Sequence, residues 1–169
     1  MIRPAVEADI AILLELTRAC AKHMIGQGIY QWNEVYPNEA AFFSDLHQKS
    51  LWVYAPENHP IGCVSFYTEM DPEYKTMDWL VPESKHLYVH RLAVHPEHQG
   101  QNIARTLMDF AEENARSLGC ASVRLDTFSQ NPRNLKFYDN RGYKKTGGAL
   151  YFPKQSEYPF VALELSLAL

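Results

Sequence analysis

Residues 95–108 have the composition of a turn that can hold a phosphate group. They join an apolar extended run at 87–94 to an amphipathic helix that begins near Ile103. The first turn of a helix leaves its N–H groups unpaired and presents the positive end of the helix dipole. Polar residues and Gly100 at such a join therefore predict a site for an anion. Glycine turns also occur where nothing binds. This stretch alone therefore does not distinguish an anion site from a turn without a ligand, and other segments are needed.

A second polar segment begins at Asn131 and leads to the aromatic pair Phe137 and Tyr138. Asn131 is typical of a helix N-cap and Gly142 of a C-terminal turn, which predicts a short helix over residues 133–141. Tyr138 belongs to this helix. A tyrosine at such a place packs in a core more often than it takes part in chemistry, so both roles stay open from the residues alone.

Length and charge limit the class of protein. The chain has 169 residues, of which 46% are hydrophobic and 21% charged, with a formal net charge of −4. This length supports a full core, and no shift of composition marks a boundary, so we expect a single domain over residues 1–169. A mildly acidic chain disfavours a nucleic-acid partner, because such proteins cluster Lys and Arg.

Cysteines and apolar runs indicate the compartment. Cys20, Cys63 and Cys120 are scattered and odd in number, which favours neither a disulfide framework nor a metal site. We therefore expect buried thiols and no bound metal. No apolar run approaches the roughly 18 residues that cross a bilayer, and the N-terminus lacks the apolar core of a signal peptide. We expect a cytoplasmic protein with no membrane partner.

Hydrophobic periodicity predicts the elements that must position these residues. Predicted helices cover residues 7–22, 39–49, 103–118 and 133–141. Predicted strands cover residues 2–5, 51–55, 60–67, 86–94, 121–126, 143–152 and 159–167. Apolar and polar residues alternate in the strand at 121–126, which predicts that it is half-buried. Residues 70–84 contain two prolines and no clear period, so an irregular arm is expected there. This order indicates a mixed α/β domain.

Taken together, the strand ending in Leu92-Ala93-Val94, the turn that follows and the Asn131 segment resemble the GNAT superfamily of acetyl-CoA-dependent N-acetyltransferases. The family's cofactor loop reads Gln/Arg-x-x-Gly-x-Gly/Ala and is matched here by residues 99–104. Its later motif, an Asn leading to a Leu/Phe-Tyr pair and then to Gly-Phe/Tyr, is matched by residues 131–143. One loop glycine is replaced by Asn102, and asparagine tolerates left-handed backbone geometry better than most residues.

The resemblance implies the fold and the cofactor site. The implied fold is α/β, with a mixed, mostly antiparallel sheet of six to seven strands, splayed at its centre and flanked by about four helices. By the resemblance, the pantetheine arm of acetyl-CoA pairs with backbone groups of Leu92 and Val94, and the pyrophosphate lies on the N–H groups of residues 99–104. The cofactor-binding residues implied are Leu92, Ala93, Val94, Gln99, Gly100, Gln101, Asn102, Ile103, Ala104, Arg105, Asn131 and Tyr138.

The implied reaction is the attack of an amine on a thioester. A Lys-like amine has a pKa of about 10.4, so a group must accept or route its proton. His90 stands where family members often carry an acidic base, although a packed histidine is an equally good interpretation. Glu69, acting through water, is the alternative base. Tyr138 matches the family tyrosine beside the departing sulfur, to which it would donate a proton or a hydrogen bond.

The sequence leaves the acceptor open. Residues 69–83 carry five acidic residues against one lysine, which would attract a cationic amine if the arm lies near the site. We expect a primary amine of a small molecule or peptide as acceptor, and exposed strand edges also allow a homodimer. The alternative function is a non-catalytic acyl-CoA-binding regulatory module of the same fold. A nucleotide-binding protein is disfavoured, because the loop has neither a Gly-Lys-Ser/Thr ending nor a Gly-x-Gly-x-x-Gly pattern.

Overall fold

A computed structural model gives the fold and describes residues 1–152 and 157–167. Within these residues there are four α-helices and seven strands. The helices are α1 (Ile10–Ile25), α2 (Glu39–His47), α3 (Ile103–Ser117) and α4 (Pro132–Asn140). The strands are β1 (Ile2–Pro4), β2 (Leu51–Tyr54), β3 (Gly62–Tyr67), β4 (His86–Val94), β5 (Ser122–Phe128), β6 (Lys144–Lys145) and β7 (Phe160–Ser166).

The strands form one sheet in the order β1-β2-β3-β4-β5-β7-β6. Strand β4 pairs with β5 in parallel at His86–Ser122, Leu87–Val123 and Tyr88–Arg124. The pairs β1–β2, β2–β3, β5–β7 and β6–β7 are antiparallel. The predicted mixed, mostly antiparallel sheet with about four helices is therefore confirmed.

The chain divides into two compact units. The first unit consists of Met1–Phe66 and His90–Ala111, and the second of Tyr67–Val89 and Glu112–Leu169. The single domain expected over residues 1–169 includes positions outside the described part of the chain and stays a prediction. In the part that the structure describes, none of the helices combines the length and the apolar character that a membrane crossing needs.

The first unit is built on one face of α1. Leu13, Leu16 and Cys20 repeat at helical spacing and are buried against β2 and β3. Gly62 lets β3 approach its neighbours, because a Cβ there would stand 3.1 Å from both the Ala93 carbonyl oxygen and the Ile103 side chain. Helix α2 begins where predicted, with the Asn38 side chain accepting from the Ala41 N–H at 2.9 Å.

The second unit corrects the prediction of a half-buried β5. Six of its seven side chains are buried, including the polar Ser122 and Arg124, and only Asp126 is half-buried. Arg124 Nε donates to Glu164 Oε1 at 2.7 Å, and the two side chains are 5% and 0% exposed. The alternation of polar and apolar residues therefore did not mark a solvent face, since Ser122 and Arg124 both donate hydrogen bonds to Glu164 of β7.

The arm at 70–84 is irregular, as predicted, with one 3₁₀ turn at Pro72–Thr76. It is nevertheless anchored, because the N–H groups of Leu80 and Val81 donate to Glu164 Oε2 at 2.6 and 3.1 Å. The strand predicted over 143–152 is wrong in extent. Only Lys144–Lys145 is a strand, and an isolated bridge joins Leu150 to Phe160. Gly148, with φ +91°, turns the backbone between them.

Candidate functional site

The turn before α3 holds a row of free backbone amides. Gly100 and Asn102 have φ of +81° and +62°, so the chain makes two left-handed steps before the helix starts. The first helical hydrogen bond runs from the Thr106 N–H to the Asn102 carbonyl at 3.0 Å. The amides of residues 100–105 come before that bond, and none of them donates to a group in the described ranges 1–152 and 157–167.

These residues fit the diphosphate of acetyl-CoA. A Cβ built on Gly100 would meet nothing within 4 Å, so the space above the turn is open and glycine is needed there for its φ alone. Gly100, Asn102 and the guanidinium-bearing Arg105 are exposed, whereas Ile103 is buried and fixes the helix start on the first unit. Free amides at a helix N-terminus bind phosphate oxygens, and an exposed arginine adds positive charge.

Gln99 braces the turn instead of pointing away from the chain. Its Nε2 donates to the Val94 carbonyl at 3.1 Å, and the Cys20 thiol donates to the same oxygen at 3.2 Å. A carbonyl has two lone pairs, so that of Val94 is already satisfied inside the protein. A pantetheine arm that pairs with this strand would therefore use other backbone groups of residues 92–94. Leu92 is half-buried, and Ala93 and Val94 are buried.

Strand β4 contains an unexpected kink beside His90. Arg91 has φ +52°, and its side chain is bound to Asp45 of α2 and to the Tyr36 hydroxyl. Burial, and then the charge of Arg91, lower the pKa of His90 to about 3. His90 is therefore neutral at neutral pH, and protonating it would place a second cation beside Arg91. The residue types around position 91 do not predict the left-handed backbone of Arg91.

Tyr138 and Asn131 lie in the second unit, on and before α4. The N-cap prediction is confirmed, because Asn131 Oδ1 accepts from the Asn134 N–H at 3.1 Å. Tyr138 is 6% exposed and packs against Phe137 and Tyr143. Burial, and then the negative charge of Asp126, raise the pKa of Tyr138, so its phenol keeps its proton at neutral pH. Its hydroxyl makes no hydrogen bond to any described residue.

A buried ion pair fixes the end of α4. Arg141 donates from Nε and Nη2 to the two oxygens of Glu112 at 3.0 and 2.7 Å, and the Tyr143 hydroxyl donates to Glu112 Oε1 at 3.1 Å. The predicted C-terminal turn is present, with Gly142 at φ +89°. Bidentate Arg–carboxylate geometry is rigid, so the orientation of the helix that carries Tyr138 is well defined within this unit.

Two carboxylates of the second unit can accept a proton. Glu69 is exposed two residues after β3. Asp126, which the sequence did not predict as a site residue, is half-buried in β5 and accepts a hydrogen bond from the Tyr74 hydroxyl. Its negative charge raises the pKa of Tyr138. Its only sequence signal was its place in an alternating strand five residues before Asn131.

Among the described residues, no group of three or more His, Cys, Asp or Glu side chains is arranged to hold a metal ion.

Comparisons with known proteins identify the family. The model of the Acetyltransferase (GNAT) family matches residues 13–143. N-acetyltransferase 8B from Homo sapiens is 31% identical over 101 residues, which are 60% of this chain and 41% of that protein. The chain thus spans less than half the length of the curated relatives that it matches.

Solved structures share the fold. An acetyltransferase of the GNAT family from Streptococcus agalactiae superimposes with a TM-score of 0.78 at 19% identity, over 100% of this chain and 96% of that chain. The structure of yncA from Salmonella typhimurium with its cofactor acetyl-CoA gives a TM-score of 0.72 at 18% identity, over 100% and 94% of the two chains. Since the family model also covers more than half of the sequence, this protein belongs to the GNAT acetyltransferase family.

Proposed function

We propose that the protein transfers an acetyl group from acetyl-CoA to a primary amine of a small molecule or peptide, by direct attack in a ternary complex. The observation that carries this proposal is the row of free amides at residues 100–105, ahead of α3. Family membership and the acetyl-CoA bound by a protein of the same fold support it. Acetyl-CoA supplies a thioester whose carbonyl carbon is open to attack by the amine.

The turn and strand β4 bind and orient this donor. The amides of residues 100–105 donate to the diphosphate, and Arg105 offsets its charge. Backbone groups of residues 92–94 hold the pantetheine arm, and an N–H of the same stretch meets negative charge developing on the acetyl oxygen. Asn131, besides capping α4, is assigned to the cofactor by family resemblance alone.

Tyr138 stabilises the leaving sulfur. As the nitrogen–carbon bond forms, the carbon–sulfur bond breaks and the sulfur takes its electron pair. An ordinary phenol has a pKa of about 10 and a thiol about 8.5, and burial raises the pKa of Tyr138 further. Full proton transfer is therefore uphill by more than about 2 kcal/mol. Tyr138 acts by donating a hydrogen bond to the thiolate.

A carboxylate is the better proton acceptor. Protonating His90 would create a charge in a buried place beside Arg91, whereas a carboxylate that accepts a proton loses its charge and also attracts the ammonium form of the amine. We assign the role to Asp126, which shares the second unit with Tyr138, and keep Glu69 acting through water as the alternative. The test measures kcat/KM against pH in the variants Asp126→Asn, Glu69→Gln and His90→Gln. The variant whose pH profile loses its acidic limb identifies the base.

The acceptor is a cationic amine in this proposal. Glu69, Glu73, Asp78 and Glu83 of the arm are exposed, so their charges reach the solvent. Steering by these charges predicts that amine KM rises with salt, and a KM independent of salt would contradict it. A cytoplasmic location and a homodimer remain part of the same proposal.

The test is a panel of amines with acetyl-CoA, read by release of free thiol. The panel holds a polyamine, an amino sugar and a lysine-bearing peptide, with a reaction lacking amine as the control for hydrolysis. Thiol release that depends on an amine supports the proposal. Binding of acetyl-CoA in a thermal-shift assay without amine-dependent release on any member of the panel would indicate a non-catalytic acyl-CoA-binding module instead.

A further inference from the structure

Arg91 has a backbone conformation that strands rarely contain. Its φ of +52° lies in the left-handed region, and among the non-glycine residues of the described chain it is the one with positive φ inside a strand. This conformation is unfavourable for a residue with a Cβ atom and persists where the surrounding structure enforces it. The residue lies directly before Leu92, where the stretch assigned to the pantetheine arm begins.

Hydrogen bonds with three residues hold Arg91 in this conformation. Nε and Nη2 of Arg91 donate to the two oxygens of Asp45 at 2.5 Å each, and Nη1 donates to the Tyr36 hydroxyl at 3.1 Å. The Arg91 carbonyl accepts from the Cys63 thiol at 3.5 Å. The side chains of Arg91 and Asp45 are only 11% and 2% exposed, so the bidentate pair is little screened by solvent.

Asp45 itself has a firm support. Its carbonyl accepts hydrogen bonds from both the N–H and the hydroxyl of Ser50, each at 3.0 Å. The Ser50 carbonyl in turn accepts from the Phe66 N–H at 3.1 Å. These hydrogen bonds connect the end of α2 to β3. The Asp45 carboxylate is therefore held in place and would not move with β4 if the φ of Arg91 changed.

We propose that Asp45 is a positioning residue, which keeps Arg91 left-handed and so aims the backbone groups of residues 92–94 at the pantetheine arm. Because the direction of each peptide group depends on the dihedral angles before it, a change of φ at residue 91 turns the amides that follow. This inference rests on the proposed function for the ligand, acetyl-CoA, but not on catalytic turnover. All residues involved belong to the first unit.

The test compares two double variants of the full chain, Asp45→Ala with Arg91→Ala and Asp45→Ala with Arg91→Gly. Both remove the ion pair, but only glycine takes a left-handed φ freely. Calorimetry gives the Kd of acetyl-CoA and of 3′-phosphoadenosine 5′-diphosphate, which lacks the pantetheine arm. We expect the alanine pair to bind acetyl-CoA about tenfold more weakly and the glycine pair to stay within about threefold of the unchanged protein. Both should bind the diphosphate normally.

The control removes another bidentate pair of the first unit, Arg3 with Asp9, whose nitrogen–oxygen distances are 2.7 and 3.0 Å. Asp9→Ala with Arg3→Ala should lower Tm without changing either Kd. If the alanine pair at 45 and 91 does not fold, Asp45→Asn replaces it and should weaken acetyl-CoA binding severalfold while sparing the diphosphate.

The inference would be overturned if the alanine and glycine pairs lost equal affinity for acetyl-CoA. It would also be overturned if a variant lost affinity for acetyl-CoA and for the diphosphate in parallel. If the unchanged protein binds acetyl-CoA but acetylates no amine, the proposed transfer activity is refuted. The test of Asp45 still holds in that case, because it measures binding alone. An unchanged protein that does not bind acetyl-CoA would refute both.

Discussion

Tyr138 allows a prediction that does not require the natural acceptor. Tyr138→Phe removes a hydroxyl that has no partner among the described residues and leaves the buried ring in place. We expect kcat with any accepted amine to fall about tenfold to hundredfold, because the leaving thiolate loses its hydrogen bond. The Kd of acetyl-CoA should change less than about twofold. Steady-state kinetics and calorimetry measure the two quantities.

The matched control is the neighbouring Tyr143, whose ring centroid lies 5.5 Å from that of Tyr138. Tyr143→Phe breaks the bond to Glu112, so it should cost about 1 kcal/mol of stability while kcat stays unchanged. Full turnover in Tyr138→Phe would reject the assigned role.

Asn102 tests whether the departure from the family loop matters. The residue already has φ +62°, the geometry that glycine would take. We therefore expect Asn102→Gly to change the Kd of acetyl-CoA less than about threefold, whereas Asn102→Val should weaken binding about tenfold, since β-branched residues avoid this region. If the unchanged protein failed to bind acetyl-CoA and Asn102→Gly restored binding, the asparagine side chain would be an obstruction.

At the scale of elements, two glycines flank α3 in similar surroundings. Gly100 has φ +81° and Gly119 has φ +70°, and a Cβ on either would meet nothing within 4 Å. Alanine at each position should therefore cost a similar amount, about 1–2 kcal/mol, from backbone strain alone. Only Gly100→Ala should also weaken acetyl-CoA binding, because only that turn holds the free amides. Denaturant unfolding and calorimetry separate the effects, and equal affinities in the two variants would contradict the site.

Elements with a strong local signal could be predicted closely. Strand β4 matches its predicted bounds, α3 ends one residue earlier than predicted, and α4 is shifted by one residue towards the N-terminus. Spacing, caps and glycine stops all act locally, which is why these bounds could be predicted. The prediction for β5 was wrong because Arg124 meets Glu164, 40 residues away in sequence, and a partner at that separation leaves no periodic trace.

The same limit applies to the candidate site. The turn at 99–104 could be found from its glycine, its asparagine and the helix that follows, since these properties belong to a few consecutive residues. The ion pair between Asp45 and Arg91 joins residues 46 positions apart in the sequence. The left-handed φ of Arg91 is also contrary to the preference of arginine for negative φ. Such features become visible only with the fold.

At the scale of the molecule, buried ion pairs connect distant segments. Arg91 with Asp45, Arg124 with Glu164 and Arg141 with Glu112 each pair side chains that are at most 12% exposed. Burial opposes the charge of Glu164, but hydrogen bonds from Ser122, Arg124 and the Val81 N–H lower its pKa. Its contribution to stability is therefore complete above the unfolded value of about 4.3 and is lost as pH falls below that value.

His90 adds a separate pH dependence at a higher pH. Its pKa in the fold is about 3, whereas an unfolded histidine titrates near 6.5. Between these values the unfolded chain binds a proton that the folded chain does not, so stability falls as pH falls, by up to about 1.4 kcal/mol for each pH unit. Burial also lowers the pKa of His86, which acts with the same sign.

The window from pH 6.5 to 5 isolates these histidines, because the lowered carboxylate of Glu164 loses its contribution only at more acidic pH. We expect His90→Gln to flatten the dependence of the unfolding free energy on pH in this window, measured by urea denaturation at several pH values. The His90→Gln variant should keep a smaller slope of unfolding free energy against pH, which is due to His86. Adding His86→Gln to that variant should reduce the slope further. A slope in His90→Gln equal to that of the unchanged protein would show that folding does not lower the pKa of His90, and the argument against His90 as the proton acceptor would then fail as well.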